Sequence, residues 1–271
     1  MANDPKSVWR PARVLANHAI AEGSMWVVLE AMDDLPAAFE PGHVLGLGLK
    51  RDDHTLVRHA YTVSRGKPSA RRFEHLYRVI SGGRVSPLLA QLSPNDAVFF
   101  HGPFHTPIQE EIDPDAEHVV LISTGAGIGP LFGYAEKTLA EGERRPATLY
   151  AGFREESHTC LRSELSSLAS RHSNFKWHFT VTRPSKSWDG LAGRVTDVVP
   201  DQLRLNDLKR YHFHLVGNGE MVSLVETALH RAGVSDRRVS TETYFNHYVE
   251  PSIDVVEQLA ARFRGEGSNS A

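Results

Sequence analysis

The apolar positions of the chain change rhythm near its middle. Over roughly the first hundred residues they form short runs between turn residues: Ser24–Ala31, His43–Leu49, Leu56–Val63, Phe73–Ile80 and Ala97–His101. Pro41-Gly42, Gly82-Gly83 and Pro94-Asn95 punctuate them, and Gly and Pro are the residues that break regular elements most strongly. Phe73-Glu74-His75-Leu76-Tyr77-Arg78-Val79-Ile80 is rich in strand formers without strict alternation, so its strand reading rests on residue type rather than on period. Closely spaced strands of this kind predict an antiparallel barrel or sandwich. One short helix is expected over Val85–Leu92, with Ser86 near its start.

After Pro114 strands and helices alternate. His118–Ser123 is a continuous apolar run, followed by a glycine-rich turn and a helical stretch, Leu131–Leu139. Strand-like Ala147–Ala151 precedes helix-like Leu161–Arg171; Phe175–Thr182 and Tyr211–Val216 read as strands, and Met221–Ala232 as a helix. That alternation predicts a parallel sheet. Two domains are therefore expected: an antiparallel β-barrel over 1–110 and a parallel-sheet α/β domain over 111–271, with the boundary in the Pro- and acid-rich stretch Thr106–Ala116. Val255, Val256, Leu259, Ala260 and Phe263 recur at helical intervals and predict a packed C-terminal helix, and Gly265–Ala271 reads as a frayed tail.

Composition narrows the function. Lys+Arg 30 against Asp+Glu 33 gives a net charge of −3 over 271 residues, so nothing points to a nucleic-acid partner. The single cysteine, Cys160, cannot form an internal disulfide, a zinc finger or a cysteine-ligated iron–sulfur cluster. Met1–Val14 lacks the apolar core of a signal peptide, and no run approaches the ~20 apolar residues of a membrane span. A soluble cytoplasmic protein is expected. The 15 histidines form no metal-ligand motif, and His212-Phe213-His214 reads as surface or packing, so no metal site is expected.

Candidate chemistry starts at Ser123-Thr124-Gly125-Ala126-Gly127-Ile128-Gly129-Pro130, between a strand pattern and a helix. Glycines there let backbone N–H groups approach an anion, and a helix N-terminus adds partial positive charge. The spacing is not G-x-G-x-x-G. On the glycines alone, a phosphate loop and a plain tight turn are equal readings.

Further segments follow in a set order. They are Arg58-His59-Ala60-Tyr61-Thr62-Val63-Ser64, Gly82-Gly83-Arg84-Val85-Ser86, Ser123–Pro130 and Tyr150-Ala151-Gly152-Phe153-Arg154. Then come Val181-Thr182-Arg183, Gly193-Arg194-Val195, Val216-Gly217-Asn218-Gly219-Glu220-Met221 and Thr241-Glu242-Thr243-Tyr244-Phe245. This order resembles the ferredoxin–NADP reductase superfamily, particularly its bacterial reductases, over about residues 10–245. The resemblance implies a flavin-binding antiparallel barrel followed by a pyridine-nucleotide domain, with FAD and NADP(H) as cofactors.

It also implies roles. In the family's Arg-x-Tyr-Ser motif, Tyr falls on Tyr61 and Ser on Thr62, which would flank the flavin ring and hydrogen-bond near its N5. The motif's Arg falls on His59, with Arg58 one residue earlier and facing the other way; which of the two holds a flavin phosphate stays open. Tyr77, Val79, Gly83, Arg84, Val85 and Ser86 complete the flavin side. Thr124, Gly125, Gly127, Gly152, Phe153, Arg154, Gly217, Asn218 and Met221 would line the nucleotide, while Thr182, Arg183 and Arg194 would hold the 2′-phosphate. Val216 stands where relatives often carry a Cys. Glu242 would relay a proton or orient the nicotinamide, with Thr62 and Tyr244 the other residues at the reaction centre; Tyr244 or Phe245 would stack on the flavin.

The expected activity is ferredoxin/flavodoxin–NADP reductase. Nicotinamide gives two electrons at once and a flavin can pass them singly; with one cysteine, the one-electron carrier, ferredoxin or flavodoxin, must be a separate chain. Two alternatives stay open: an NADH-using reductase serving an oxygenase or haem protein, and a redox sensor without turnover.

Overall fold

A computed structural model describes residues 8–51, 54–203, 208–244 and 250–266. The first sheet comprises β1 (Arg10–Ala21), β2 (Ser24–Ala31), β3 (Val44–Lys50), β4 (Leu56–Thr62), β5 (Arg65–Lys67), β6 (Arg72–Arg78) and β7 (Ala97–His101), with the short helix α1 (Ser86–Leu89) before β7. Its seven strands run in the order β4-β3-β7-β1-β2-β6-β5, every neighbouring pair antiparallel. The sheet curls until the end of β4 meets β6: Ser64 N–H donates to Glu74 O at 2.7 Å, and His75 Nδ1 lies 2.8 Å from Thr62 O. Phe39, Phe73 and Phe100 pack inside with ring centroids 5.0–5.7 Å apart, beside fully buried Leu29, Leu45 and Leu47. The antiparallel barrel expected from the sequence is thus present.

Its longest strand, β1, carries no readable pattern. Register shifts at Val14/Ala16 and Ala19/Ala21 break the alternation, so only Ala12 and Val14 of β1 are buried. Bulges of this kind turn a strand and move its side chains off the period of two.

The chain continues through α2 (Ile108–Glu111), β8 (His118–Thr124), α3 (Ile128–Ala140), β9 (Ala147–Phe153), α4 (Arg162–Arg171), β10 (Phe175–Val181) and β11 (Leu191–Ala192). It ends with α5 (Val195–Gln202), β12 (Tyr211–Asn218), α6 (Gly219–Arg231), β13 (Val239–Tyr244) and α7 (Ile253–Phe263). The six strands form a parallel sheet, β11-β10-β9-β8-β12-β13. Val120, Ile122, Phe213 and Leu215 point to one face, where Val199 of α5, Val222 and Val225 of α6, and Leu259 and Phe263 of α7 cover them. The predicted C-terminal helix is therefore core-forming. Cys160 sits just before α4, buried, where desolvation pushes its thiol up to about 12; such a thiol is chemically quiet. Among the described residues no helix is long and apolar enough to cross a membrane.

Compactness groups the chain into two units, one of the residues up to Glu110 with Gly129–Thr138, the other of Glu111–Ile128 with the residues from Leu139 onward. Most of α3 thus packs in the first unit, although it follows the first parallel strand. Gly129 and Gly133, one turn apart, permit this: a Cβ on Gly133 would stand 1.6 Å from Ser64 O. Arg65 then donates to both oxygens of Glu136 at 2.6 and 2.7 Å and lies 4.7 Å from the Phe132 ring centroid.

Among the described residues three histidines are buried. His75 bonds the Thr62 carbonyl, while His212 and His214 flank Ser240 Oγ at 2.8 and 2.6 Å, and Asp113 N–H donates to His212 Nδ1 at 3.2 Å. His212 and His214 are thus packed in the second unit, and among the described residues no His, Cys, Asp or Glu group is arranged for a metal. Burial lowers the pKa of His75 and His212 to about 4 and that of His214 to about 3, against an ordinary 6.5. The unfolded chain therefore binds more protons below pH 6.5. Stability should be full above that pH and fall as pH drops from 6.5 toward 4, by about 1.4 kcal/mol per pH unit for each histidine. Urea midpoints measured from pH 7 to 5 should decline steadily; a flat profile, or NMR titration of these rings near 6.5, would contradict it.

Candidate functional site

The parallel sheet reverses its winding at β8, which has β9 on one side and β12 on the other. In such sheets ligands bind outside the carboxyl ends of the strands at the switch point. β8 ends there at Thr124 and β12 at Asn218. Asn218 N–H donates to Thr124 Oγ1 at 2.9 Å. Gly217, at φ +144°, makes this crossing possible, because a Cβ would stand 2.2 Å from Thr124 Oγ1. Gly127 is equally constrained, its Cβ position lying 2.5 Å from Val216 O. Gly125 differs: its φ is +54° and nothing stands within 4 Å of its Cβ position. The turn is thus tight beneath and open above, the arrangement that lets backbone N–H groups meet phosphate oxygens. Asn218 Oδ1 caps α6 by accepting from Glu220 N–H at 2.8 Å, and Met221 is buried in the core of the second unit.

Gly217→Ala should therefore push β12 off Thr124 and, if the turn holds a nucleotide phosphate as expected from the sequence, weaken nucleotide binding at least tenfold, the scale of one lost hydrogen bond plus local strain. Isothermal titration with NADP+ checks this; an unchanged dissociation constant would show that the crossing does not shape the site.

β9 and β10 end at the same edge. Gly152 is buried with Val195 above it, and Phe153 packs edge-on to Phe179 at 5.2 Å. Beyond them the two loops are laced together: Thr182 N–H donates to Phe153 O at 3.0 Å and Arg183 N–H to Arg154 O at 2.9 Å. Arg154, Thr182, Arg183 and Arg194 are all exposed at this edge; Arg194 stands at the N-terminal boundary of α5, a helix the sequence hid behind Pro200. Two carboxylates went unforeseen. Glu155 Oε1 lies 3.8 Å from Arg183 Nη1. Glu156 accepts from Ser185 N–H at 2.6 Å, and hydrogen bonding by Ser185 holds its carboxyl below the usual range. Their adjacency in Arg154-Glu155-Glu156 was the available signal.

On the edge strand β13, Glu242 stands opposite Val216 and Tyr244 opposite Asn218. As i, i+2 residues they share a face. Phe245 lies outside the described residues.

In the first unit, alternation separates Arg58 from His59. His59 lies on the face of Tyr61, with ring centroids 5.6 Å apart, whereas Arg58 is exposed opposite Gly48, over which Trp9 packs. Tyr61 contacts Tyr77 edge-on at 5.8 Å, and burial pushes both phenols above their ordinary range. Tyr77 donates to Asn17 Oδ1 at 3.0 Å, and Asn17 donates in turn to Leu89 O and Leu92 O at 2.8 and 3.0 Å. This links β6 to α1 through a residue with no motif to mark it. Thr62 is buried at the end of β4. Val79 N–H donates to Gly23 O, and Gly83 N–H to Ile80 O, both at 2.9 Å. Ser86 Oγ accepts from Ile80 N–H at 3.0 Å, which closes the Gly82–Ser86 turn over buried Val85. Helix α1 is a single four-residue turn rather than the expected Val85–Leu92, so little dipole supports an anion here. Arg84 projects from this turn, and Gly82, at φ +73°, leaves open space at its Cβ position.

Residues 121–227 match the family model of the oxidoreductase NAD-binding domain. The chain is 26% identical over 238 residues to ferredoxin–NADP reductase B of Sorangium cellulosum, covering 86% of this chain and 96% of that one. It is 23% identical over 187 residues to the electron transfer component of anthranilate 1,2-dioxygenase of Acinetobacter baylyi, covering 68% of this chain but only 53% of that longer protein. A crystal structure of a cytochrome P450 reductase from Amycolatopsis superposes with a TM-score of 0.75 at 26% identity, over 87% of this chain and 69% of that one. A ferredoxin NADP+ reductase from Neisseria gonorrhoeae, solved with bound FAD and NADP, shares the fold with a TM-score of 0.76 at 19% identity, over 88% of this chain and 99% of that one. An antiparallel barrel followed by a parallel sheet with a glycine-opened switch point, together with these likenesses, places the chain in the ferredoxin–NADP reductase superfamily of oxidoreductases.

Proposed function

We propose that the protein is an FAD-dependent reductase that moves electrons between NADPH and a one-electron carrier protein, ferredoxin or flavodoxin. The observation that carries this reading is the switch point itself: Gly217 crosses Thr124, and Gly125 leaves the turn open to a phosphate. The flavin side fits as well, since Tyr61 and Tyr77 offer aromatic surface beside Thr62, and Gly82 and Arg84 leave an open, cationic turn.

FAD, when bound, accepts hydride and releases electrons one at a time; the chain's residues do the rest. Tyr61 and Tyr77 present aromatic surface to the ring. Thr62 offers a hydroxyl toward its N5. His59, on Tyr61's face, and Arg84, a cation projecting from the Gly82–Ser86 turn, are the side chains for the flavin phosphates. Backbone N–H groups around Gly125 hold the nucleotide phosphates. Glu242 would hold a proton or orient the nicotinamide, and Tyr244, on the same face of β13, would be its aromatic neighbour. A one-electron iron–sulfur carrier lies outside these 271 residues, because their one cysteine cannot ligate a cluster.

Thr182, Arg183 and Arg194 are the groups for a 2′-phosphate. Charge-assisted hydrogen bonds contribute about 1.5–3 kcal/mol each, or roughly ten- to hundredfold in binding. Arg183→Ala should lower kcat/KM for NADPH by that factor and leave NADH nearly unchanged; equal loss with both would remove the assignment. A second reading, an NADH-using reductase component, is favoured by one contact: Glu155 already sits on Arg183, and a carboxylate there can accept from a free ribose 2′-hydroxyl. Steady-state reduction of a ferredoxin and a flavodoxin by NADPH tests the main reading. Reduction of either supports it. Flavin reduction by NADPH with no transfer to either carrier contradicts it.

A further inference from the structure

His75 is fully buried on β6, edge-on to Phe73 at 5.8 Å and to Tyr61 at 6.3 Å. Its Nδ1 lies 2.8 Å from the carbonyl oxygen of Thr62. A carbonyl only accepts, so the proton resides on Nδ1 and Nε2 is left as an acceptor. Among the described residues that buried Nε2 has no hydrogen-bond partner. The ring therefore carries the cost of a desolvated acceptor beside the Phe73 ring, where an apolar side chain would carry none. What it gains is the bond to Thr62.

That bond is one of three successive ties on the same short segment. Val63 N–H donates to His43 O at 2.8 Å, and Ser64 N–H to Glu74 O at 2.7 Å. Val63 N–H belongs to the same peptide unit as the Thr62 carbonyl, so that unit is tied by backbone at its nitrogen and, at its oxygen, by an imidazole that burial keeps neutral.

We infer that His75 is a positioning residue for Thr62: by holding the oxygen of the Thr62–Val63 peptide, whose N–H the His43 carbonyl already holds, it completes the fixing of the backbone that carries the Thr62 hydroxyl proposed to face the flavin. The inference rests on the flavin-reductase reading above. His75 is fully buried and acts through Thr62.

Three measurements test it together. In the parent protein, nitrogen NMR of the histidine side chains should find the His75 proton on Nδ1. His75→Phe, which keeps the ring's bulk and removes the donor, should slow flavin reduction at saturating nucleotide by about tenfold, the scale of one neutral hydrogen bond, with little change in KM. His75→Asn, whose amide nitrogen stands where Nδ1 stood, should recover most of that loss. With Thr62→Val as background, His75→Phe should add nothing further, because the hydroxyl it positions is gone. A proton on Nε2 overturns the inference, as does a His75→Phe variant that reduces its flavin at the parent rate or adds its full effect to Thr62→Val. Should His75→Phe fail to fold, the tautomer and the Asn variant decide: Asn at parent-like rates supports the role, and Asn with tenfold loss contradicts it. A parent that binds no flavin overturns the functional reading and this inference together, whereas a flavin-loaded parent with its proton on Nε2 overturns this inference alone.

Discussion

Gly133→Ala should cost the protein about 3 kcal/mol or more, at the upper end of the ~1–3 kcal/mol typical of overpacking. The added methyl would stand 1.6 Å from Ser64 O and 2.8 Å from Ser64 C, both backbone atoms, and 3.2 Å from Pro41 Cγ. Backbone held by the Ser64–Glu74 ladder bond cannot retreat, so α3 must move away from the barrel. That displacement also pulls Glu136 off Arg65 and Phe132 off the guanidinium. Thermal unfolding should shift down by roughly 6–12 °C for a domain of this size. Ala140→Gly at the exposed end of the same helix should cost only about 0.5–1 kcal/mol, the ordinary helical penalty of glycine. A Gly133→Ala protein as stable as its parent would mean that α3 does not seat on Ser64.

The largest catalytic effect is expected at the edge strand. Glu242→Gln should slow flavin reduction at saturating NADPH by about 100- to 10,000-fold, the usual contribution of a positioned acid–base group, and weaken NADPH binding far less. Tyr244→Ser should act the other way on occupancy, strengthening nicotinamide binding by removing the ring that competes for its place. Glu242 and Tyr244 share a face beside Val216 and Asn218, at the carboxyl edge where the nucleotide is proposed to lie. Stopped-flow reduction of both variants separates the roles. Parent-like rates in both would assign these side chains to packing.

What could be read in advance follows from periodicity. The continuous apolar run His118–Ser123 and the glycines after it mark a buried parallel strand and its turn, because the run is too short for a buried helix and is closed by glycines. Alternation also puts Arg58 and His59 on opposite faces, with His59 on that of Tyr61. Other features lie outside any local pattern. β1 is hidden by its two register shifts, and α5 by Pro200. The seating of α3 depends on Gly129 and Gly133 meeting Ser64, far earlier in the chain, a contact with no sequence signature. Asn17, which bonds Tyr77 and the end of α1, is likewise distant from both. His75 reads as one more strand residue until the Thr62 carbonyl is seen beside it. Glu155 and Glu156 read as solvated charges until the loop after β10 folds back onto them.

On the proposed reading, this chain holds a flavin and reduces it with a pyridine nucleotide. Anaerobic titration of the purified, flavin-loaded protein with NADPH, and separately with NADH, followed by visible absorbance, tests it most directly. One equivalent of NADPH per flavin should abolish the oxidised-flavin bands rapidly, with NADH slower. A protein that binds no flavin, or whose flavin bands persist under excess of either nucleotide, would contradict it.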